Sequence, residues 1–216
     1  HFDTENVTDM YSMFAYCKAL KSLKISSFDT KNVKNMSFMF FYCSSLPTLD
    51  LSGFNTENVT DMGAMFKYCL EMEKIDVSKF NTEKVTNMRG MFSGCRKITS
   101  LDLSHFNTEN VTNTNTMFFS CDALTSLNLS SFKLEKVTDM GSMFFACEEM
   151  KTIYCDYAWK CAESTSMFSY CSKLKGAVAY DENKVDVKMA NPETGYFTKK
   201  TVDGIDKSID NTDTTI

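Results

Sequence analysis

Apolar residues recur along this chain with a fixed period of 26 residues. Three kinds of position show the period without exception. They are Phe2, Phe28, Phe54, Phe80, Phe106 and Phe132; Val7, Val33, Val59, Val85, Val111 and Val137; and Cys17, Cys43, Cys69, Cys95, Cys121 and Cys147. Six repeats therefore cover residues 2–157, and a degenerate seventh, two residues shorter, retains Met167, Phe168 and Cys171. Such a period indicates a protein built from stacked structural repeats.

Each repeat opens with a phrase such as "NVTDMYSMFAYC" and continues with one such as "LKSLKIS". In the first phrase Met10, Met13, Phe14 and Cys17 have the i, i+3, i+4, i+7 spacing that predicts a two-turn helix. Either Asp9 or Thr8, just before Met10, is suited to cap that helix. The caps expected in the other copies are Asn35, Asp61, Asn87 and Asp139. In the second phrase the alternation of apolar and polar residues predicts a short half-buried strand.

Neither element can bury its apolar face alone, so neighbouring repeats are expected to stack with parallel strands about 4.8 Å apart. The pattern L-x-x-L-x-L in a unit of this length is typical of leucine-rich repeats. The sequence thus predicts an α/β fold, a right-handed leucine-rich-repeat solenoid of about seven coils, each with a short parallel strand and a two-turn helix.

The chain divides into three predicted parts. Residues 1–175 form the solenoid, 176–200 leave the repeat pattern and are predicted to cap its last coil, and 201–216 form a polar tail or linker. Because "HFDTEN" begins inside a repeat, we expect the chain to be a piece of a longer protein.

Composition excludes several functions. With 43% hydrophobic and 24% charged residues and a net charge of −5, the chain has no dense Lys/Arg block for nucleic acid or anionic membranes. No apolar run approaches the roughly 20 residues of a membrane-spanning helix, and the start carries no secretory signal. No arrangement of residues points to catalysis or to a cofactor.

Sulfur-containing residues raise the question of a metal or redox site. The cysteines would stack in a line rather than converge on one point, which favours small buried side chains over a zinc site. The methionines share the helix face with Phe and Cys, which favours core packing over soft-metal binding. Cys155 and Cys161 leave the register, and either a local disulfide or substitution at core positions would account for them.

Two surfaces are candidates for ligand binding. One is a column on the strand face, Lys24, Asp50, Asp76, Asp102, Asn128 and Tyr154, which is read either as a solvated polar face or as an oxygen-rich surface that could bind Ca²⁺. The other is Phe38, Phe41 and Tyr42, outside the core face of the second repeat, with Phe119 and Phe145 at equivalent places later. These aromatic residues either contact a partner or pack between neighbouring repeats.

The phrases "FNTENVTDMGAMFKYC" and "LTSLNLSSF" resemble the repeats of BspA-like leucine-rich bacterial surface proteins. The resemblance covers about residues 2–175, and Gly176–Lys200 also looks like the sequence that ends such arrays. It implies an extracellular, cell-surface or cell-wall protein of a bacterium, with adhesive or binding duties and no catalysis. The expected partner is a host or matrix protein or a glycan; the alternative is a structural spacer without a ligand.

Overall fold

Successive repeats stack on one another in parallel and in register. The computed structural model describes residues 3–200. A continuous series of parallel β-bridges links the residue four positions before the Met-Phe pair of each repeat to its equivalent in the next repeat. The bridged residues are Asp9, Asn35, Asp61, Asn87, Asn113, Asp139 and Glu163. Residues that are equivalent in the sequence repeat therefore lie next to one another in the stack.

Short strands lie in some of the repeats and in the C-terminal segment. They are β1 (Thr48–Leu49), β2 (Lys74–Ile75), β3 (Ser126–Asn128), β4 (Thr152–Tyr154) and β5 (Phe197–Thr198). β1 pairs with β2, and β3, β4 and β5 form a second sheet in that order, with every pairing parallel. The predicted parallel pairing is confirmed.

The prediction of a strand in every repeat is wrong, since none lies at residues 20–25 or 98–103. Proline explains the first case. The N–H groups of Glu73 and Lys151 donate to the carbonyls of Pro47 and Thr125 in the preceding repeat, at 2.9 and 2.8 Å. Pro47 occupies the same donor position but has no N–H, so it cannot bond back to repeat 1.

The predicted two-turn helix is also wrong, because residues 3–200 contain no α-helix and a single 3-10 helix at Val187–Met189. The segment that starts at Met10 is instead a series of turns. The N–H groups of Met10, Ser12 and Phe14 donate across the stack to carbonyls of repeat 2, at 2.9–3.1 Å. Of the intervening N–H groups, those of Met13 and Ala15 bond within the segment, each to the carbonyl three residues before it, and that of Tyr11 bonds to the carboxylate of Asp9.

This backbone requires left-handed residues where the chain turns back toward the next repeat. Ser12 and Tyr16 have φ of 54° and 62°, and equivalent residues in the other repeats share this conformation. A non-glycine residue there costs about 1–2 kcal/mol. The cross-repeat hydrogen bonds offset that cost and fix the conformation.

The residues before each turn segment do satisfy its N–H groups, although no helix follows. The carboxylate of Asp9 accepts from the N–H of Tyr11 at 2.8 Å, and Asp61 and Asp139 accept from Gly63 and Gly141 at the same distance. The predicted capping chemistry therefore operates at a turn.

One core runs along the whole stack. The Met-x-x-Met-Phe-x-x-Cys side chains of repeats 2 to 4 are all buried, as Met39, Phe40 and Cys43 illustrate at 0% exposure. Phe rings stack from repeat to repeat, with centroids 5.7 Å apart for Phe40 and Phe66. The interpretation of these residues as core is confirmed.

A buried threonine ties each of the first repeats to the next. The hydroxyl of Thr82 donates to the carbonyl of Asn107 at 2.9 Å and accepts from the N–H of the same residue at 2.8 Å. Equivalent hydroxyls at Thr30, Thr56 and Thr108 bond in the same way. This ladder satisfies backbone groups at the corner before each turn segment.

The segment after residue 175 packs on the last repeat. β5 adds to β4, and the Phe197 ring lies against Trp159 at 4.8 Å. The carbonyl of Val185 accepts from the N–H of Phe168 at 3.0 Å. These contacts agree with a cap at 176–200, whose boundary stays a prediction; the predicted tail at 201–216 lies outside the described residues.

Candidate binding surfaces

The strand-face column lies on the surface as predicted. Lys24, Asp50, Asp76 and Asp102 are exposed, Asn128 is half-buried, and Asn128 lies opposite Tyr154 in the parallel register of β3 and β4. The structure thus brings these residues to one face, but it does not test whether they bind a ligand.

Nearby serines donate hydrogen bonds to the row of carboxylates. Asp50 accepts from the hydroxyl and the N–H of Ser52, at 2.6 and 3.0 Å, and Asp76 and Asp102 accept from the N–H groups two residues further on. The hydroxyl and backbone bonds from Ser52 lower the pKa of Asp50 below its usual value. Each carboxylate thus has its own donors, which leaves less need for a bridging cation.

The Ca²⁺ hypothesis gains no support from the described residues. Within residues 3–200, no group of three or more His, Cys, Asp or Glu side chains is arranged to hold a metal ion. That the strand-face column is a ligand surface stays a prediction.

The aromatic residues predicted on repeat 2 belong to a larger set, which we call the aromatic patch: Tyr11, Tyr16, Phe38, Phe41, Tyr42 and Tyr68. Ring centroids are 5.9 Å apart for Tyr16 and Tyr42, and 5.1 Å for Tyr42 and Tyr68. Tyr11 and Tyr16 are 57% and 62% exposed. The patch therefore combines packing between repeats with rings open to solvent.

Backbone conformation positions the tyrosines. Tyr16, Tyr42 and Tyr68 all have φ of 61–62°, so the left-handed turn sets each ring outside the core, and the rings of Tyr16 and Tyr42 each contact the tyrosine ring of the next repeat. The row ends at Gly94, where an added Cβ would lie 2.5 Å from Cδ1 of Tyr68. Glycine there leaves room for the last ring of the patch.

Two lysines carry positive charge into the patch. Lys18 Nζ lies 4.7 Å from the centre of the Tyr42 ring, and Lys67 Nζ lies 5.2 Å from that of Tyr68. Neither ammonium pairs with a carboxylate among the described residues. Burial and the nearby Arg89 lower the pKa of Lys67.

A cleft of about 240 Å³ adjoins the patch, with Phe38, Lys67 and Arg89 among its lining residues. The cationic side chains of Lys67 and Arg89 and the ring of Phe38 suit a ligand that has both an acidic group and an apolar surface. The sequence indicated Phe38 but not the two cations, because neither position repeats a charge along the chain.

A smaller aromatic set lies on the later repeats. Phe119 stacks on Phe145 with centroids 4.9 Å apart, and Phe145 contacts Tyr170 at 5.0 Å. Tyr170 is equivalent to Tyr16 and is similarly exposed, at 66%.

The cysteines form a ladder of buried thiols rather than a site. The thiol of Cys95 donates to the carbonyl of Phe66 in the preceding repeat, at 3.2 Å, and Cys43, Cys69, Cys121, Cys147 and Cys171 do likewise. Burial raises the pKa of Cys43 to about 11. A protonated thiol can donate a weak hydrogen bond and is a poor nucleophile, so the ladder is structural.

The two cysteines outside the ladder are free as well. All nine cysteines, which lie within the described residues, are unpaired. The Cys155 thiol donates to the carbonyl of Tyr157 at 3.4 Å, and that of Cys161 to the carbonyl of Val137 at 3.5 Å. The disulfide considered from the sequence is therefore not formed.

Sequence reasoning missed several residues of the patch. Tyr11, Tyr16, Tyr68 and Lys18 were not singled out, although tyrosine recurs one residue before the cysteine in each of the first three repeats. Comparing the variable positions of the repeats with one another would have found this row.

Among residues 3–200, no helix is long and apolar enough to cross a membrane. A search of the curated proteins found no match. A crystal structure of a leucine-rich repeat protein from Eubacterium ventriosum is similar, with 16% sequence identity and a TM-score of 0.35. That match covers 76% of this chain and 62% of the other, so the chain spans less than two thirds of that protein.

A family profile described as "Mycoplasma protein of unknown function, DUF285" matches residues 1–76 and again residues 69–182. The two matches together cover all seven repeats and the start of the C-terminal segment. This chain therefore belongs to the DUF285 family.

Proposed function

We propose that this chain is a non-catalytic binding module of a bacterial cell-surface protein, and that the aromatic patch is its ligand surface. In this proposal the stack is a right-handed solenoid of the leucine-rich, BspA-like kind, located outside the cell. Its partner is a host or matrix protein or a glycan.

The aromatic patch is the observation that carries the proposal. Large exposed rings on a soluble protein mark contact sites more often than isolated apolar residues do. Tyrosine supplies contact area with little loss of conformational entropy, because it has only two side-chain torsions and these rings already pack on one another.

The charges of the patch specify the chemistry of the ligand. Lys18 has no carboxylate partner among the described residues, so it is available to an acidic group of a ligand. The chain as a whole has a net charge of −5, which disfavours acidic ligands elsewhere on its surface. We therefore expect a ligand that combines carboxylate or sulfate groups with apolar area.

The experiment is a binding screen of the full chain against matrix proteins and glycans, followed by variants. Tyr16→Ala is expected to weaken binding roughly tenfold or more, as for an interface anchor. Tyr170→Ala is the matched control, because Tyr170 is equally exposed, has the same left-handed backbone and lies outside the patch.

Binding that both variants weaken equally would place the ligand elsewhere. No binding to any member of the panel would favour the alternative function, a spacer that holds another domain away from the cell wall. Increased salt should weaken binding of an acidic ligand, because the Lys18 charge is exposed to solvent.

A further inference from the structure

A cleft of about 420 Å³ lies between the last two repeats and the C-terminal segment. Repeats 6 and 7 line it with two aromatic rings and three serines, and the C-terminal segment lines it with Tyr180, Glu182 and Asn183. No lysine or arginine is among the described residues that line it. This composition differs from that of the cleft beside the aromatic patch, which Lys67 and Arg89 line.

A serine in place of a phenylalanine opens this cleft. Phe119, Phe145 and Ser169 occupy equivalent positions of repeats 5, 6 and 7. The ring of Phe119 stacks on that of Phe145 at 4.9 Å, but Ser169 has no ring to continue the row. Tyr170, which is 66% exposed, instead contacts Phe145 edge to face at 5.0 Å. The two rings therefore form an apolar corner of the cleft.

A buried tyrosine holds the opposite wall in place. The hydroxyl of Tyr196, which is fully buried, accepts from the N–H of Asp181 at 2.8 Å and donates to the carbonyl of Lys184 at 2.9 Å. The N–H of Lys184 donates to the carbonyl of Asp181 at 2.9 Å, which closes the turn over residues 181–184. The wall is thus preorganised, and a ligand loses less binding energy in ordering it.

Polar groups without a protein partner surround the apolar corner. The hydroxyl of Tyr180 accepts from the N–H of Tyr170 at 3.0 Å, and its proton goes to no acceptor within residues 3–200. The carboxylate of Glu182 has no ion pair in the same range. Three serine hydroxyls also form no hydrogen bond with the described part of the chain: Ser166, Ser169 and Ser172. The cleft thus offers four hydroxyl groups and one carboxylate to a ligand.

We propose that this cleft binds a neutral sugar of an oligosaccharide. A sugar ring has a face of C–H groups, which packs on an aromatic ring, and a rim of hydroxyls, which needs donors and acceptors. The rings of Phe145 and Tyr170 supply the first, and the hydroxyls of the cleft supply the second. The carboxylate of Glu182 accepts from two neighbouring sugar hydroxyls and repels acidic sugars, because no lining cation offsets its charge.

The test measures binding of maltotriose, lactose and chitotriose to the full chain by saturation-transfer NMR at millimolar concentrations. At least one of these neutral sugars is expected to bind. Tyr170→Ala should weaken that binding roughly tenfold or more, as for an interface anchor, whereas Tyr170→Phe keeps the ring and should leave it unchanged. Ser169→Phe should abolish binding, because its ring would continue the row onto Phe145 and fill the cleft.

Tyr16→Ala is the control and should leave sugar binding unchanged, because Tyr16 lies on repeat 1. Binding of none of the three sugars would overturn the proposal, as would sugar binding that Tyr170→Ala and Ser169→Phe leave unaltered. Binding of spermidine alone would overturn it in favour of a cation site at Glu182. The proposal does not rest on the aromatic patch, whose test follows an acidic ligand through Tyr16, so either proposal can fail while the other stands.

Discussion

The threonine ladder allows a direct measurement of what joins one repeat to the next. Thr82 is 2% exposed, and its hydroxyl makes two hydrogen bonds to the backbone of Asn107, as donor at 2.9 Å and as acceptor at 2.8 Å. Valine has nearly the same shape but can make neither bond, whereas serine can make both. The pair of substitutions therefore separates hydrogen bonding from packing.

The expected magnitudes follow from these contacts. Thr82→Val leaves one N–H and one carbonyl without a partner, at a cost of about 1 kcal/mol each because Asn107 is half-buried and water can reach it. Thr82→Ser removes one buried methyl group, which costs about 0.8 kcal/mol. We therefore expect the valine variant to lose about 2 kcal/mol and the serine variant about 1 kcal/mol.

The assay is urea unfolding followed by circular dichroism, with equal slopes required before midpoints are compared. Changing both Thr56 and Thr108 to valine, or both to serine, should roughly double the difference in stability between the valine and serine variants. The effects should add because these two sites lie two repeats apart and share no partner. If the valine variants proved as stable as the serine variants, the cross-repeat hydrogen bonds would contribute nothing and the reasoning would fail.

Three other measurements test the backbone and the polar face. Ala146→Gly, at φ of 55°, is expected to be neutral or up to about 1 kcal/mol stabilising, whereas Ala15→Gly, outside the left-handed region, should cost about 0.5–1 kcal/mol in thermal unfolding; equal losses would indicate a helix. Gly94→Ala should cost about 1–3 kcal/mol, because its Cβ would collide with a tyrosine ring of the preceding repeat, and a neutral result would contradict the contact. Ser52→Ala should raise the pKa of Asp50 toward 3.8 in an NMR titration. In the parent chain the lowered pKa of Asp50 stabilises the fold at pH values above 3.8, and this stabilisation is lost as the pH falls through the pKa of the folded state. The variant lacks this contribution, so its stability should fall less in acid.

The period and the core could be predicted from the sequence. A repeat of 26 residues with Phe, Val and Cys at fixed places leaves few ways to bury those side chains other than stacking equivalent positions. Burial of Phe40 and Cys43 follows directly from their recurrence. The role of the cysteines as core residues also followed from the sequence, since residues in a line cannot converge on one metal ion.

The composition of the aromatic patch could be predicted only in part. Phe38, Phe41 and Tyr42 stand out within one repeat, whereas Tyr16 and Tyr68 join them only because stacking brings residues 26 apart within ring contact. Lys18 was not recognisable either, because its position one residue after the cysteine gives no indication that its ammonium lies over a ring of the next repeat.

By itself, the sequence determined the repeat length, the buried face and the capping residues of each turn segment. Only the tertiary structure decided the backbone of that segment. The spacing of Met10, Met13, Phe14 and Cys17 puts their side chains on one face whether the N–H groups bond within the segment or to the next repeat. Neighbouring repeats present carbonyls in register, so bonds such as that from Phe14 to Met39, at 2.9 Å, replaced the helix.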